Sequence, residues 1–264
     1  MNICMMSMIL QDFTPEQIVS TAVECGMCAV DWITTHNCDP SYLGKISRDA
    51  GLDVAAFTPL DNAYIEGEGN WQDEFKYSLD AAVKMGAPAM MVPPFALKKH
   101  PELSEGKKYW TDFYAWATPL AKKAGVVLTC ESTGFSNSPI TTADEVLDVI
   151  REVPDLRVTF DNGNTETACD GIEAYKKLKD YIVRFHLKDW TVSDTEIPYS
   201  EKKRNGKYFA MSVIGEGSID LQSLWNAVDP EQKKFTVNLE TWHTDYSQLS
   251  VEELKRVCRL VQSW

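Results

Sequence analysis

The sequence predicts one (β/α)8 TIM barrel spanning residues 1–264, and three observations carry that expectation. Short apolar, β-branched runs alternate with stretches of helical spacing along the chain, which argues for a parallel sheet covered by helices. Eight such pairs can be marked out, the number that closes a barrel. In the second half, four runs each end at a residue able to bind a metal. Residues 126–130 lead to Glu131, 156–160 to Asp161, 182–185 to His186 and 235–239 to Glu240.

The apolar run 1–10 reads as the first strand; it is too short to span a membrane and lacks a basic leader or a cleavage signature. A helix follows over 15–25, opened by Thr14 and closed by Gly26. Strands at 28–33 and 52–57 flank a helix at 42–50, and a loop rich in Gly, Asp and Asn runs through Gly69. The helix 71–85 precedes a strand at 89–92, which Pro93 and Pro94 stop. A further helix is expected over 109–124, bent by Pro119. Thr142 and Glu145 are spaced as a capping box for the helix 142–151. Shorter helices are read at 171–178 and 221–228, the latter capped by Asp220, and 251–262 is the closing helix. The stretch 190–217 has little helical pattern, and 191–212 reads as an insertion serving as a lid or a dimer contact. The alternative to a barrel is an open doubly wound sheet, but no Gly-x-Gly-x-x-Gly follows the first strand.

The 264 residues carry a formal net charge of -13. Such a chain repels polyanions, so nucleic acid is excluded as a partner, and the short basic cluster Lys202, Lys203, Arg204 reads as a solvated loop. No segment is long and apolar enough for a membrane span. Seven cysteines, at 4, 25, 28, 38, 130, 169 and 258, form no paired pattern. Cys25 and Cys28 have zinc-like spacing without a second pair, so buried thiols in a reducing cytoplasm are the expectation.

At the C-terminal ends of neighbouring barrel strands, side chains converge on the axis. Glu131, Asp161, His186 and Glu240 there make three oxygen donors and one nitrogen donor, without thiolate. That set suits one divalent cation: Mn²⁺, Mg²⁺, Co²⁺ or Zn²⁺. Three carboxylates packed together without a cation would repel one another. Taken singly, each has a plainer reading: Asp161 as a turn residue, His186 as a core histidine, either glutamate as a cap or half an ion pair. Four at one register favour the metal.

The motifs Cys130-Glu131-Ser132, Phe160-Asp161-Asn162-Gly163-Asn164, His186-Leu187-Lys188-Asp189, Gly215-Glu216-Gly217-Ser218-Ile219-Asp220 and Leu239-Glu240 resemble the xylose isomerase-like barrel superfamily over essentially the whole chain. That group includes sugar isomerases, ketose 3-epimerases, dehydratases of cyclic keto-polyols, and AP endonucleases of family 2. The resemblance implies that Glu131, Asp161, His186 and Glu240 bind one metal, and that Glu131 and Glu240 also move protons. The implied activity is isomerisation or epimerisation of a small sugar or polyhydroxy carbonyl compound, with dehydration or a non-catalytic sugar-binding barrel as alternatives. Lys188 would steady the enediolate or pair with Asp189. Trp32, Asn164, Trp242 and His243 are expected against the substrate, with His36, Trp190 and Glu216 nearby. A homo-oligomer is compatible with this reading. Ser132-Thr133 replaces the Asn-His that often follows the strand-five glutamate in the epimerases, and Asn164 stands where they often have histidine. The AP endonuclease chemistry fits poorly, since it calls for several histidines and this chain has four.

Overall fold

The computed structural model describes residues 1–60, 64 and 69–264. Among these, β1 (Asn2–Met6), β2 (Ala29–Ile33), β3 (Asp53–Thr58), β4 (Ala89–Met91), β5 (Val127–Cys130), β6 (Arg157–Asp161), β7 (Ile182–Ser193) and β10 (Thr236–Glu240) pair in parallel, each with the next. Pairing of β10 with both β1 and β7 closes the barrel. The helices α1 (Pro15–Glu24), α2 (Pro40–Asp49), α3 (Trp71–Met85), α4 (Leu103–Lys123), α5 (Ala143–Glu152), α7 (Gly171–Leu178), α8 (Leu221–Ala227) and α9 (Val251–Gln262) follow strands, and the short α6 (Asn162–Glu166) directly continues β6.

Local chemistry sets many of these boundaries. Thr14 and Thr142 each close a capping box, with Gln17 and Glu145 respectively. Each pair satisfies two backbone N–H groups that a helix start leaves open. Gly86 ends α3 at φ 80°, a conformation that costs a residue with a Cβ.

The main hydrophobic core lies between the strands and the helices. Inside the barrel the apolar cluster is small, comprising Cys4, Ala29 and Ala55. The rest of the axis is largely polar: Asp31, Thr129, Thr159, Arg184 and Asn238 are all buried. Thr129 and Thr159 hydroxyls share a hydrogen bond of 2.8 Å, and Arg184 pairs with Asp31. Buried polar groups need such partners, and here they form a floor beneath the C-terminal mouth.

Several expectations are corrected. The first strand stops at Met6, and Ser7–Leu10 is a 3-10 turn. The helix expected from 109 begins at Leu103 and runs through Pro119 to Lys123. Its first turns are obscured in the sequence by Gly106, which is there for packing: a Cβ would lie 2.9 Å from the Pro139 Cβ. Strand seven does not end at His186. It continues to Ser193, leaving the barrel to pair antiparallel with β9 (Tyr208–Ser212), which also pairs with β8 (Glu201–Lys202). The insertion is therefore a β-hairpin. Most of the loop expected before Gly69 lies outside the described residues.

Candidate metal centre

Parallel register brings the four metal-binding residue types together. Asp161 and Asn238 each stand opposite His186, and Glu240 stands one layer higher, opposite Lys188. Glu131 follows β5 directly. One ligand atom from each of Glu131, Asp161, His186 and Glu240 lies within 4.8 Å of the others, and all four residues are buried. His186 Nδ1 faces the cluster, 2.8 Å from Glu240 Oε1 and 3.4 Å from Glu131 Oε2. Asp161 Oδ1 accepts the backbone N–H of Asn164 at 2.7 Å, so it caps α6 as well.

The electrostatics are those of a crowded anionic site with one fixed cation. Burial, with the neighbouring glutamates, pushes the Asp161 carboxyl up to about 7 against the pull of Lys188. Burial acts the same way on Glu240, but the Lys188 ammonium and His186 overcome it and hold that carboxyl at about 2. Lys188 resists the downward push of its own burial because Asp161 and Glu240 flank it, and its affinity for a proton is raised. His186 is likewise raised, since Asp31, Glu131 and Glu240 together outweigh burial. Glu131 Oε2 is buried without a hydrogen-bond partner among the described residues. An orphaned carboxylate oxygen at the centre of three carboxyls and an imidazole is what a divalent cation would satisfy, so the donor set fits the ion expected from the sequence.

A cavity of about 400 Å³ opens above the cluster. Glu131 and Glu240 line it; Asp161 and His186 do not. Lys188, Asn164 and Trp242 line it too. Lys188 Nζ is 3.2 Å from both Asp161 Oδ2 and Asn164 Oδ1, and it pairs with Glu240. It makes no pair with Asp189, whose carboxylate accepts backbone N–H groups of Trp190, Gly215, Gly217 and Ile219. The Gly-x-Gly turn thus encloses Asp189, while Glu216 points away to Arg256 on α9.

Two candidate substrate residues stand elsewhere. Trp32 is fully buried on the outer face of β2, where its Nε1 donates to Ser47 of α2 at 3.2 Å. His243 turns toward Glu253 of α9, 3.5 Å away, and does not line the cavity. His36 lies 2.9 Å from the Ser7 hydroxyl and is also outside the cavity lining.

The hairpin supplies residues that sequence reading missed. Lys203, expected on a solvated loop, is buried at the cavity, over Phe135 and Trp190 at 5.2 and 5.6 Å and paired with Glu201 at 2.6 Å. Arg204 makes a bidentate pair with Glu145 on α5, both contacts 2.8 Å, which ties the hairpin to the barrel. Nothing in 201–204 marks this role locally: one acidic residue followed by three basic ones has the pattern of a solvated loop. The walls are otherwise rich in sulfur and aromatic groups, including Met6, Met91, Met211, Phe95 and Trp190. All seven cysteines are free thiols, Cys25 and Cys28 among them. No helix among the described residues is long and apolar enough to cross a membrane.

Fold and site together define a parallel barrel whose C-terminal mouth carries a buried cluster able to hold a metal. Residues 21–263 match the family model described as xylose isomerase-like TIM barrel, and the chain belongs to that family. Solved structures share the fold at low sequence identity. The IolI protein with a zinc atom has a TM-score of 0.77 at 16% identity, covering 99% of this chain and 96% of that one. The probable 3-DHS dehydratase AsbF from Bacillus anthracis has a TM-score of 0.76 at 15% identity, with 99% of both chains covered. The 3-keto-D-glucoside 4-epimerase YcjR from E. coli has a TM-score of 0.72 at 13% identity, with 100% of both covered. No curated protein matches the sequence.

Proposed function

We propose that this chain is a divalent-metal-dependent isomerase or epimerase of a small sugar or polyhydroxy carbonyl compound, acting by α-proton transfer. The observation that carries this reading is the division of the four-residue cluster: Asp161 and His186 are sealed beneath the cavity, while Glu131 and Glu240 open onto it. A cation held there would supply Lewis-acid stabilisation of the enediolate oxygens. The glutamates are the groups placed to take a proton from one carbon and return it to another, or to the opposite face. Lys188, kept protonated by its carboxylate neighbours, holds a substrate oxygen and leaves the base role to the glutamates. Asn164 accepts from the Lys188 ammonium and orients it, and Trp242 and Trp190 exclude water above it.

One observation favours dehydration of a cyclic keto-polyol as a second reading. Ser132 and Thr133 spend their hydroxyls inside the protein, on Thr165 at 2.8 Å and on the Pro94 carbonyl at 3.1 Å. With an apolar wall opposite, the cavity suits a compact ring, which presents a C–H face to that wall, better than an extended open chain.

The test is product analysis with Mn²⁺-loaded protein and a panel of ketoses and cyclic keto-polyols. Products of unchanged mass support isomerisation or epimerisation; loss of one water moves the assignment to the dehydratase. Protein that neither binds Mn²⁺ nor gains thermal stability from it would instead be a non-catalytic barrel.

A further inference from the structure

Beneath the cluster lies a second set of buried charges that the reaction above does not use. Asp31 on β2 and Arg184 on β7 form an ion pair with side chains 0% and 2% exposed. Arg184 is two residues before His186 and points into the same barrel interior. Asp31 sits where the β2–β3 register shifts.

His186 Nδ1 is turned to Glu240 and Glu131, so Nε2 points down into this floor. Its neighbours there are Arg184 Nη2 at 3.3 Å and Asn238 Nδ2 at 3.2 Å. Both are donors. The Asn238 amide is fixed in that sense, because its oxygen takes the Cys4 thiol and its nitrogen donates to Asp31. The acceptor near Nε2 is Asp31 Oδ2, at 3.8 Å. A neutral imidazole that gives its Nδ1 lone pair to a cation carries its one proton on Nε2. That proton has to find an acceptor in a site closed to water.

We infer that Asp31 is a positioning residue for the metal centre, accepting the Nε2–H of His186 when Nδ1 holds a cation, with Arg184 fixing the Asp31 carboxylate in place. The inference rests on the metal-binding reading of Glu131, Asp161, His186 and Glu240. Asp31 has spare capacity for the role, since its Oδ1 has no hydrogen-bond partner among the described residues. The Arg184 guanidinium keeps the carboxyl ionised despite burial, at about 2. Such outer carboxylates set the ring orientation and basicity of a ligating histidine, and their loss typically weakens metal binding about 10–100-fold.

The experiment measures Zn²⁺ and Mn²⁺ affinity of the full chain by titration calorimetry. The wild type is compared with Asp31→Asn and with the double variant Asp31→Leu/Arg184→Met. The double variant removes both charges together, so no unpaired buried ion remains to prevent folding. Metal binding weakened by about tenfold or more in both variants is expected. A second readout needs no substitution: long-range ¹H–¹⁵N spectra of the Zn²⁺-loaded wild type should show an exchange-protected proton on His186 Nε2. Unchanged affinity in the double variant, or a His186 without that proton, overturns the role of Asp31 alone. Wild-type protein that binds neither ion overturns the metal-centre reading as well.

Discussion

Asp31 and Trp32 are adjacent on β2 and point to opposite faces, Asp31 into the polar floor and Trp32 out against Ser47. Sequence reading placed Trp32 at the substrate and overlooked Asp31, because an isolated apolar run does not say which parity faces the axis. A charged residue inside such a run was the available signal, and Arg184 in β7 carries the same one. That Glu131, Asp161, His186 and Glu240 come together was legible for a simpler reason: each lies near the C-terminal mouth, where parallel strands converge, Asp161 and His186 in one layer and Glu240 in the next. Their packing has a consequence for pH. Burial and the neighbouring glutamates hold the Asp161 carboxyl at about 7, well above its unfolded value, so the fold favours the protonated form. The stability from this group is full below the unfolded pKa and is lost as pH rises through about 7. A cation prefers the ionised form, so protons compete with it. Apparent Mn²⁺ affinity should therefore fall as pH drops below about 7, by up to tenfold per unit for each displaced proton. Titration calorimetry across that range checks this; a flat profile would remove Asp161 from the ligand set.

Among the elements, α6 and the hairpin were the least visible beforehand. Five residues do not make a periodic pattern, and α6 exists because Asp161 caps it and β6 feeds it directly. The close approach of β7 is what constrains Gly163 within it. A Cβ there would lie 2.6 Å from the Lys188 Cβ and 2.8 Å from the Trp190 Nε1. Gly163→Ala should cost about 1–3 kcal/mol by overpacking, read by thermal or denaturant unfolding. It should also lower turnover through Lys188, and wild-type stability in this variant would show that α6 is free to shift. The hairpin escaped because antiparallel strands in an insertion follow no barrel period. Its anchor, Arg204 on Glu145, joins residues 59 apart in sequence, which no local pattern reveals.

For the whole molecule, alternation of strand and helix sufficed to predict closure, since eight parallel units leave few other ways to bury both faces of a sheet. What alternation cannot encode is the content of the interior. Here the polar floor and the cluster able to hold a metal stack along one axis, with the cavity above, so a molecule entering the cavity meets Glu131 and Glu240 before Asp161 and His186. Solvent-deuterium exchange tests this arrangement most directly. Metal-loaded protein in D₂O, given the carbonyl substrate it turns over, should place deuterium on the carbon next to the carbonyl. Exchange should stop on metal removal and fall by about 10²–10⁴-fold in Glu240→Gln. Exchange that persists undiminished in Glu240→Gln, or turnover without any solvent deuterium in the product and no need for metal, would contradict the account.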